Sequence, residues 1–197
     1  MELTSNYKKH SNKNPFSKFL IANFYNTLIT LIKNLKPVSI LDVGCGEGFT
    51  LEKLQKNHIG KRLEGMDNLQ DAIDIGKKLH PKFILKKGDV YKLPYRSSSF
   101  DLITCTEVFE HLEKPEKALD ELIRVSKKYI LLSVPNEPLF TMQRFLRGKN
   151  VLHLGDHPEH IQHWSAKTFE TFVKRKKVRV IAGKTPFPWT MLLIKKI

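Results

Sequence analysis

Apolar residues recur every three or four positions from Phe16 through Leu20, Phe24, Leu28 and Leu31 to Leu35, which predicts an amphipathic helix. Asn14-Pro15 supplies its N-cap and first residue, and Pro37 closes it. Residues 1–13 are polar and basic and show no apolar period. Beyond Pro37 the pattern alternates. Val38–Val43 is a short apolar run, followed by Gly44–Gly48 and a helical pattern near Phe49–Lys56. Arg62–Met66 predicts a strand, Leu69–Leu79 a helix, Phe83–Lys86 a strand, Phe100–Thr106 a strand, Pro115–Val125 a helix and Tyr129–Val134 a strand stopped by Pro135. Strands alternating with helices give βαβ units and a parallel sheet covered on both faces, an α/β doubly wound fold. The last third differs. Pro138–Leu146 predicts a short helix, Gly148–His163 a His-rich loop, and Ser165 caps a helix to about Val173. Val178–Ala182 and Trp189–Ile194 predict two strands joined by Gly183–Pro188, long enough to close an antiparallel pair.

A chain of 197 residues is ample for one core and short for two, so residues 1–197 are expected to form a single domain. Ten Gly and ten Pro without a period exclude collagen-like and low-complexity classes. Cys45 and Cys105 are too few for a disulfide scaffold and fit a reducing compartment. The longest uncharged stretch, Phe19–Ile32, is interrupted by Asn23, Asn26 and Thr30 and is too short to span a bilayer. The first eighteen residues are polar and basic, with no small-residue cleavage site after the apolar stretch. The expectation is a cytoplasmic protein.

The net charge of +14 changes the picture, because it sits at the two ends. Residues 1–37 hold six Lys and one Glu, residues 38–143 sixteen basic and sixteen acidic residues, and residues 144–197 twelve basic and three acidic. Such ends could attract phosphate-rich partners or an anionic membrane surface. Lys outnumbers Arg by 27 to 7, whereas base and phosphate recognition favours Arg, so solvated surface is the preferred reading.

The segment Ile40-Leu-Asp-Val-Gly-Cys-Gly-Glu-Gly-Phe-Thr50 carries the most chemistry. A buried strand runs into Gly44, Gly46 and Gly48, and glycines let backbone approach a ligand closely. The spacing G-x-G-x-G lacks the small residue that a dinucleotide fingerprint needs at Phe49. Asp67 ends the next strand, nineteen residues beyond Gly48, where a carboxylate can accept from both hydroxyls of a ribose. Gly88-Asp89-Val90 ends the strand after that, offering an acceptor for an exocyclic amino group and an apolar contact for a purine face. Acids at three strand ends, Asp42, Asp67 and Asp89, suit a cation and would repel a pyrophosphate.

These residues resemble the class I S-adenosylmethionine-dependent methyltransferases, in particular the broad small-molecule group that includes ubiquinone and menaquinone methyltransferases. The resemblance covers residues 38–136 and rests on ILDVGCGEG, the strand end at Asp67, GDVYKLPYRSSSFDLITCTEVFEHL and YILLSVPNEP, while the ends YKKHSNKNPF and DHPEHIQHWS more loosely resemble active-site cover segments. It implies a Rossmann-like seven-stranded sheet of order 3-2-1-4-5-7-6 with strand 7 antiparallel. It implies S-adenosyl-L-methionine as cofactor, with Gly44, Cys45 and Gly46 beneath its methionine part. It further implies Asp67 with Asn68 at the ribose, Asp89 and Val90 at the adenine, Thr106 near the carboxylate or sulfonium, and Asp42 in support of the loop. Residues 38–136 would then be a cofactor-binding core, 1–37 a basic segment and helix, 137–175 a cap over the acceptor, and 176–197 a C-terminal strand pair. Cys45 and Cys105, on neighbouring strands 1 and 4, would come near each other as small space-filling residues.

Methyl transfer from a sulfonium is an in-line displacement that needs alignment, and a base only where the acceptor is protonated. Glu107-Val-Phe-Glu-His111 follows strand 4 at the sheet's carboxyl end. His111 is the candidate base, with Glu107 and Glu110 positioning it or the helix start. E-x-x-E-H also resembles the metal-binding motif of small-RNA 2′-O-methyltransferases, which a distant His completes. His153, His157, His160 and His163 all qualify, but no metal is assigned. His157, His160 and Trp164 are the expected acceptor contacts. The expected partner is a small-molecule acceptor. An RNA methyltransferase, metal-assisted or not, is the runner-up, and a non-catalytic cofactor-binding module comes third.

Overall fold

The structure is a computed structural model and describes residues 4–137, 139–146 and 160–197. Its elements run α1 (Ser5–His10), α2 (Pro15–Ile32), a 3-10 turn (Lys33–Leu35), β1 (Ser39–Val43), α3 (Phe49–Lys56), β2 (Arg62–Asp67), α4 (Gln70–Leu79) and β3 (Ile84–Lys87). Then come β4 (Phe100–Thr106), a second 3-10 turn (Phe109–His111), α5 (Pro115–Val125), β5 (Ser126–Pro135), α6 (Leu139–Leu146), α7 (Ala166–Lys174), β6 (Val178–Lys184) and β7 (Trp189–Lys196).

The seven strands lie in the order β3-β2-β1-β4-β5-β7-β6. β7 is antiparallel to both neighbours, and the other pairs are parallel. Register puts successive side chains on opposite faces. The row Leu41–Ile103–Ile130–Ile194–Val180 crosses five strands and faces α5 and α7. Ile40, Leu102, Leu131 and Leu193 face α2, α3 and α4 on the other side. The first four residues of that first row are fully buried, each contributing roughly 1.5–3 kcal/mol by leaving water. This is why the strands β1, β4 and β5 read as continuous apolar runs rather than alternations.

The boundaries follow the local chemistry. The Asn14 side chain accepts from the Ser17 N–H and Pro15 opens α2. Ser165 and Thr168 close a capping box on α7. Two expectations need correction. Residues 1–13 contain a helix, α1, whose N-cap Thr4 accepts from the Tyr7 N–H. It escapes a periodicity argument because a six-residue helix shows fewer than two turns. Cys45 and Cys105, though buried on or beside neighbouring strands, pack into clusters on opposite faces of the sheet. A part of the expected His-rich loop, with His153 and His157, lies outside the described residues.

Candidate active site

All of the parallel strands end on one edge of the sheet, and the glycine loop leaves β1 there. The loop turns back over β2: the Gly44 and Cys45 N–H groups both donate to the Met66 carbonyl, at 2.7 and 3.1 Å. Gly44 has φ +74°, and a Cβ there would lie 2.2 Å from Cγ2 of Val108. So the loop and the segment after β4 are packed directly on each other, and only glycine permits it. Gly46, at φ +52°, donates its N–H to Oδ2 of Asp67 at 2.7 Å, while Oδ1 accepts from the Leu69 N–H at 2.9 Å. Asp67 therefore pins the loop to the tip of β2 and still has lone pairs to offer. Burial raises its carboxyl above the usual range, against those two backbone bonds.

Asp42 is closed off beneath the loop, and its Oδ1 accepts from Thr104 Oγ1 at 2.6 Å across the β1–β4 register. Burial pushes it up to about 7 despite that bond. Asn68 and Asp89 are exposed at the tips of β2 and β3, Val90 is partly buried, and Asp89 Oδ1 accepts from the Tyr91 N–H. Thr106 ends β4, partly buried, opposite Ser133 of β5. Burial raises the Cys45 and Cys105 thiols, so both stay protonated packing groups.

Glu107 has φ +59°, a left-handed backbone uncommon for a residue with a side chain. Its N–H donates to the Ser133 carbonyl and its carboxylate accepts from Ser133 Oγ at 3.0 Å. The following 3-10 turn carries Glu110, buried, and His111, whose Nε2 lies 4.0 Å from Glu110 Oε1. Burial raises both carboxyls, and the charge of Glu107 raises Glu110 further. The Glu110 carbonyl accepts from the N–H groups of Ile161 and Gln162, at 2.9 and 3.0 Å. Those two bonds bring His160 beside His111, with ring centroids 5.1 Å apart and Phe140 on its other side. Glu110, His111 and His160 each offer a ligand atom within 4.8 Å of the others, a set that could hold a divalent ion. Glu110 Oε2 is buried without a hydrogen-bond partner among the described residues, as a group awaiting a polar ligand would be.

His160 thus joins the expected catalytic segment. Trp164 packs instead on Phe169 and Phe172 under α7 and borders a groove between α5 and α7. Reasoning from the sequence missed α1 as a helix and its bonds to the glycine loop. Thr4 and Asn6 both donate to the carboxylate of Glu47, which is fully buried in the glycine loop. His10 stacks on Phe49 at 4.1 Å, and burial, with Lys9 and Lys53 nearby, pushes it down to about 3. Lys9 Nζ lies 5.1 Å from the Trp189 ring centroid, close enough for its charge to act on Glu107. The one sequence signal for this was Thr4-Ser-Asn6, residues that favour helix starts.

Comparison with known proteins agrees with this geometry. Residues 41–131 match the family model described as "Methyltransferase domain". The chain is 32% identical over 123 residues to the mitochondrial ubiquinone biosynthesis O-methyltransferase of Saccharomyces cerevisiae, covering 58% of this chain and 39% of that protein. It is 35% identical over 97 residues to norajmaline N-methyltransferase of Rauvolfia serpentina, covering 46% of this chain and 33% of that one. The chain therefore spans well under half the length of these two relatives. Among solved structures, the PH0226 protein of Pyrococcus horikoshii OT3 superposes with a TM-score of 0.73 at 15% identity over 100% of both chains. That likeness shows the shared fold.

Proposed function

Residues 41–131 of this chain are a methyltransferase domain of the S-adenosylmethionine-dependent family, and from that premise we propose that the protein methylates a small-molecule acceptor. The observation that carries this reading is the direct packing of Val108 on Gly44, which sets Glu107, Glu110, His111 and His160 beside the cofactor loop. S-adenosyl-L-methionine supplies an electrophilic methyl group on a sulfonium. Gly44, Cys45 and Gly46 give it close backbone approach. Asp67 and Asn68 would hold its ribose, Asp89 and Val90 its adenine, and Thr106 its methionine end. Asp42 braces the loop from below through Thr104.

The acceptor enters over Glu107, Glu110 and His111. With the cofactor bound, its sulfonium would supply the methyl group to an oxygen or nitrogen lone pair of the acceptor, the carbon–sulfur electron pair going back to sulfur. His111 takes the acceptor's proton. Glu110 orients His111, and His160 holds the acceptor. The O- and N-methyltransferase names of the two relatives support a small polar acceptor of this kind.

A second reading follows from the cluster of Glu110, His111 and His160. Two imidazoles and a carboxylate would hold Mg²⁺ or Mn²⁺ against a vicinal diol or catechol-like pair of oxygens, including a terminal RNA ribose. One experiment separates the two. Methyl transfer is screened over quinols, phenols, amines, sugars, lipids and RNA, with and without chelator. On the first reading chelator has no effect, and His111→Ala lowers turnover by about 10²–10⁴ with cofactor affinity intact. Loss of all activity with chelator, restored by Mg²⁺, decides for the metal, and His160→Ala should then be as damaging as His111→Ala.

A further inference from the structure

We propose that the rim around the candidate site is a membrane-docking surface, with an anionic bilayer as its partner. Topology places the rim. α1 sits on the glycine loop at the carboxyl end of the strands, and α2 starts just beyond it and runs to the far end before β1 begins. β7 starts at the same carboxyl end, where Trp189 pairs with Pro135, so the loop holding Phe187 lies there too. The Asn136 N–H donates to the Pro188 carbonyl, which sets the start of α6 beside that loop. Lys9 over Trp189 and Phe24 ties α1 to both.

Large apolar side chains point outward from these adjoining elements. Phe16 and Phe19, one turn apart on α2, are 45% and 65% exposed; Leu139 and Met142, spaced alike on α6, are 38% and 51% exposed; Phe187 is 39% exposed. Three adjoining elements each turn apolar surface to solvent at one end of the molecule, and contiguous exposure of that kind marks an interaction surface. Lys8, Lys9, Lys13 and Lys18 lie in the same α1–α2 region, while Asp and Glu are absent from residues 3–41. Lysine beside outward Phe, Leu and Met suits a bilayer boundary: ammonium groups meet anionic headgroups and the apolar side chains enter the acyl region. RNA would favour Arg and has no use for Leu139 and Met142. Docked this way, the site opens toward the bilayer and takes its acceptor from it. That consequence rests on the methyl-transfer reading, whereas docking itself does not.

The test uses the full chain and vesicle flotation, which needs neither cofactor nor acceptor. The protein should float with vesicles of phosphatidylcholine and phosphatidylglycerol, less so with phosphatidylcholine alone, and less as salt is raised. Phe19→Ser with Met142→Ser, both at exposed positions, should cut partition roughly tenfold with the melting temperature unchanged. Lys13→Gln and Lys18→Gln should each cost about fivefold on anionic vesicles only. Lys177→Gln with Arg179→Gln, at the opposite end of the sheet, should leave partition unchanged. Equal partition of the Phe19/Met142 variant, an equal loss from the Lys177/Arg179 variant, or retention of an RNA oligonucleotide by protein that ignores every vesicle would overturn the proposal.

Discussion

Asp42 shows how one buried atom couples the fold to pH. Its Oδ1 is satisfied by Thr104, Oδ2 has no partner among the described residues, and burial favours the neutral acid and pushes the carboxyl up to about 7. In the unfolded chain the same group titrates near 3.8. The folded state therefore holds the proton more tightly. Its contribution to stability is full below the unfolded value and is lost as pH climbs toward 7. Urea melts of wild type and Asp42→Asn at several pH values should show the wild type losing ground steadily across that window. A pH-independent difference would mean that Asp42 is charged in the fold. Glu107 makes the complementary point: its φ of +59° costs about 1–3 kcal/mol, and it is held by bonds to the backbone and side chain of Ser133.

Among the elements, α1 has the most conditional hold on the rest. It is six residues long, too short to persist by itself, and its attachments include the Glu47 carboxylate, the His10–Phe49 stack and Lys9 over Trp189. His10 is held neutral by burial and by neighbouring lysines, and its docked value of about 3 lies below the free value of 6.5. Docking is thus fully supported above 6.5 and weakens as pH falls from there toward 3. At about pH 5.5 roughly 1 kcal/mol of docking should be gone. Hydrogen exchange of α1 amides should accelerate over that range in the wild type, and His10→Phe should flatten the dependence. Unaltered protection at acid pH would show that His10 does not gate α1.

For the whole molecule, the cofactor loop is assembled from β1, β2, α1 and the segment after β4, so ligand binding is linked to global stability. S-adenosylmethionine at a hundredfold its dissociation constant should add about 2.7 kcal/mol, or some 5–10 °C in melting temperature for a chain of this size. Asp67→Ala removes the acceptor that holds Gly46 and should cost about 1.5–3 kcal/mol of cofactor affinity, which shrinks the thermal shift accordingly. A full shift in that variant would remove Asp67 from the cofactor site. At this scale the charge also has a place: Lys8, Lys9, Lys13 and Lys18 lie at the end of the molecule that holds the site, while Lys33 and Lys36 lie at the other, a division that no count along the chain reveals.

Local rules were enough for the alternation of strands and helices, the caps at Asn14 and Ser165, the glycine loop and the acids at strand tips, because each depends on residues close in the chain. Those residues carried the family resemblance and with it the strand order. The E-x-x-E-H segment was legible as chemistry, but only the fold chose His160 for it, through two backbone bonds to the Glu110 carbonyl. The fold also set Trp164 into the α7 core and divided the two cysteines between opposite faces. α1 was invisible beforehand because its stability is borrowed: Thr4 and Asn6 reach Glu47 across more than forty residues, and no local pattern records a bond of that span. What the chain determined locally was the set of elements and the chemistry each carries; which of those groups meet was decided by long-range packing and by the burial of charge that comes with it.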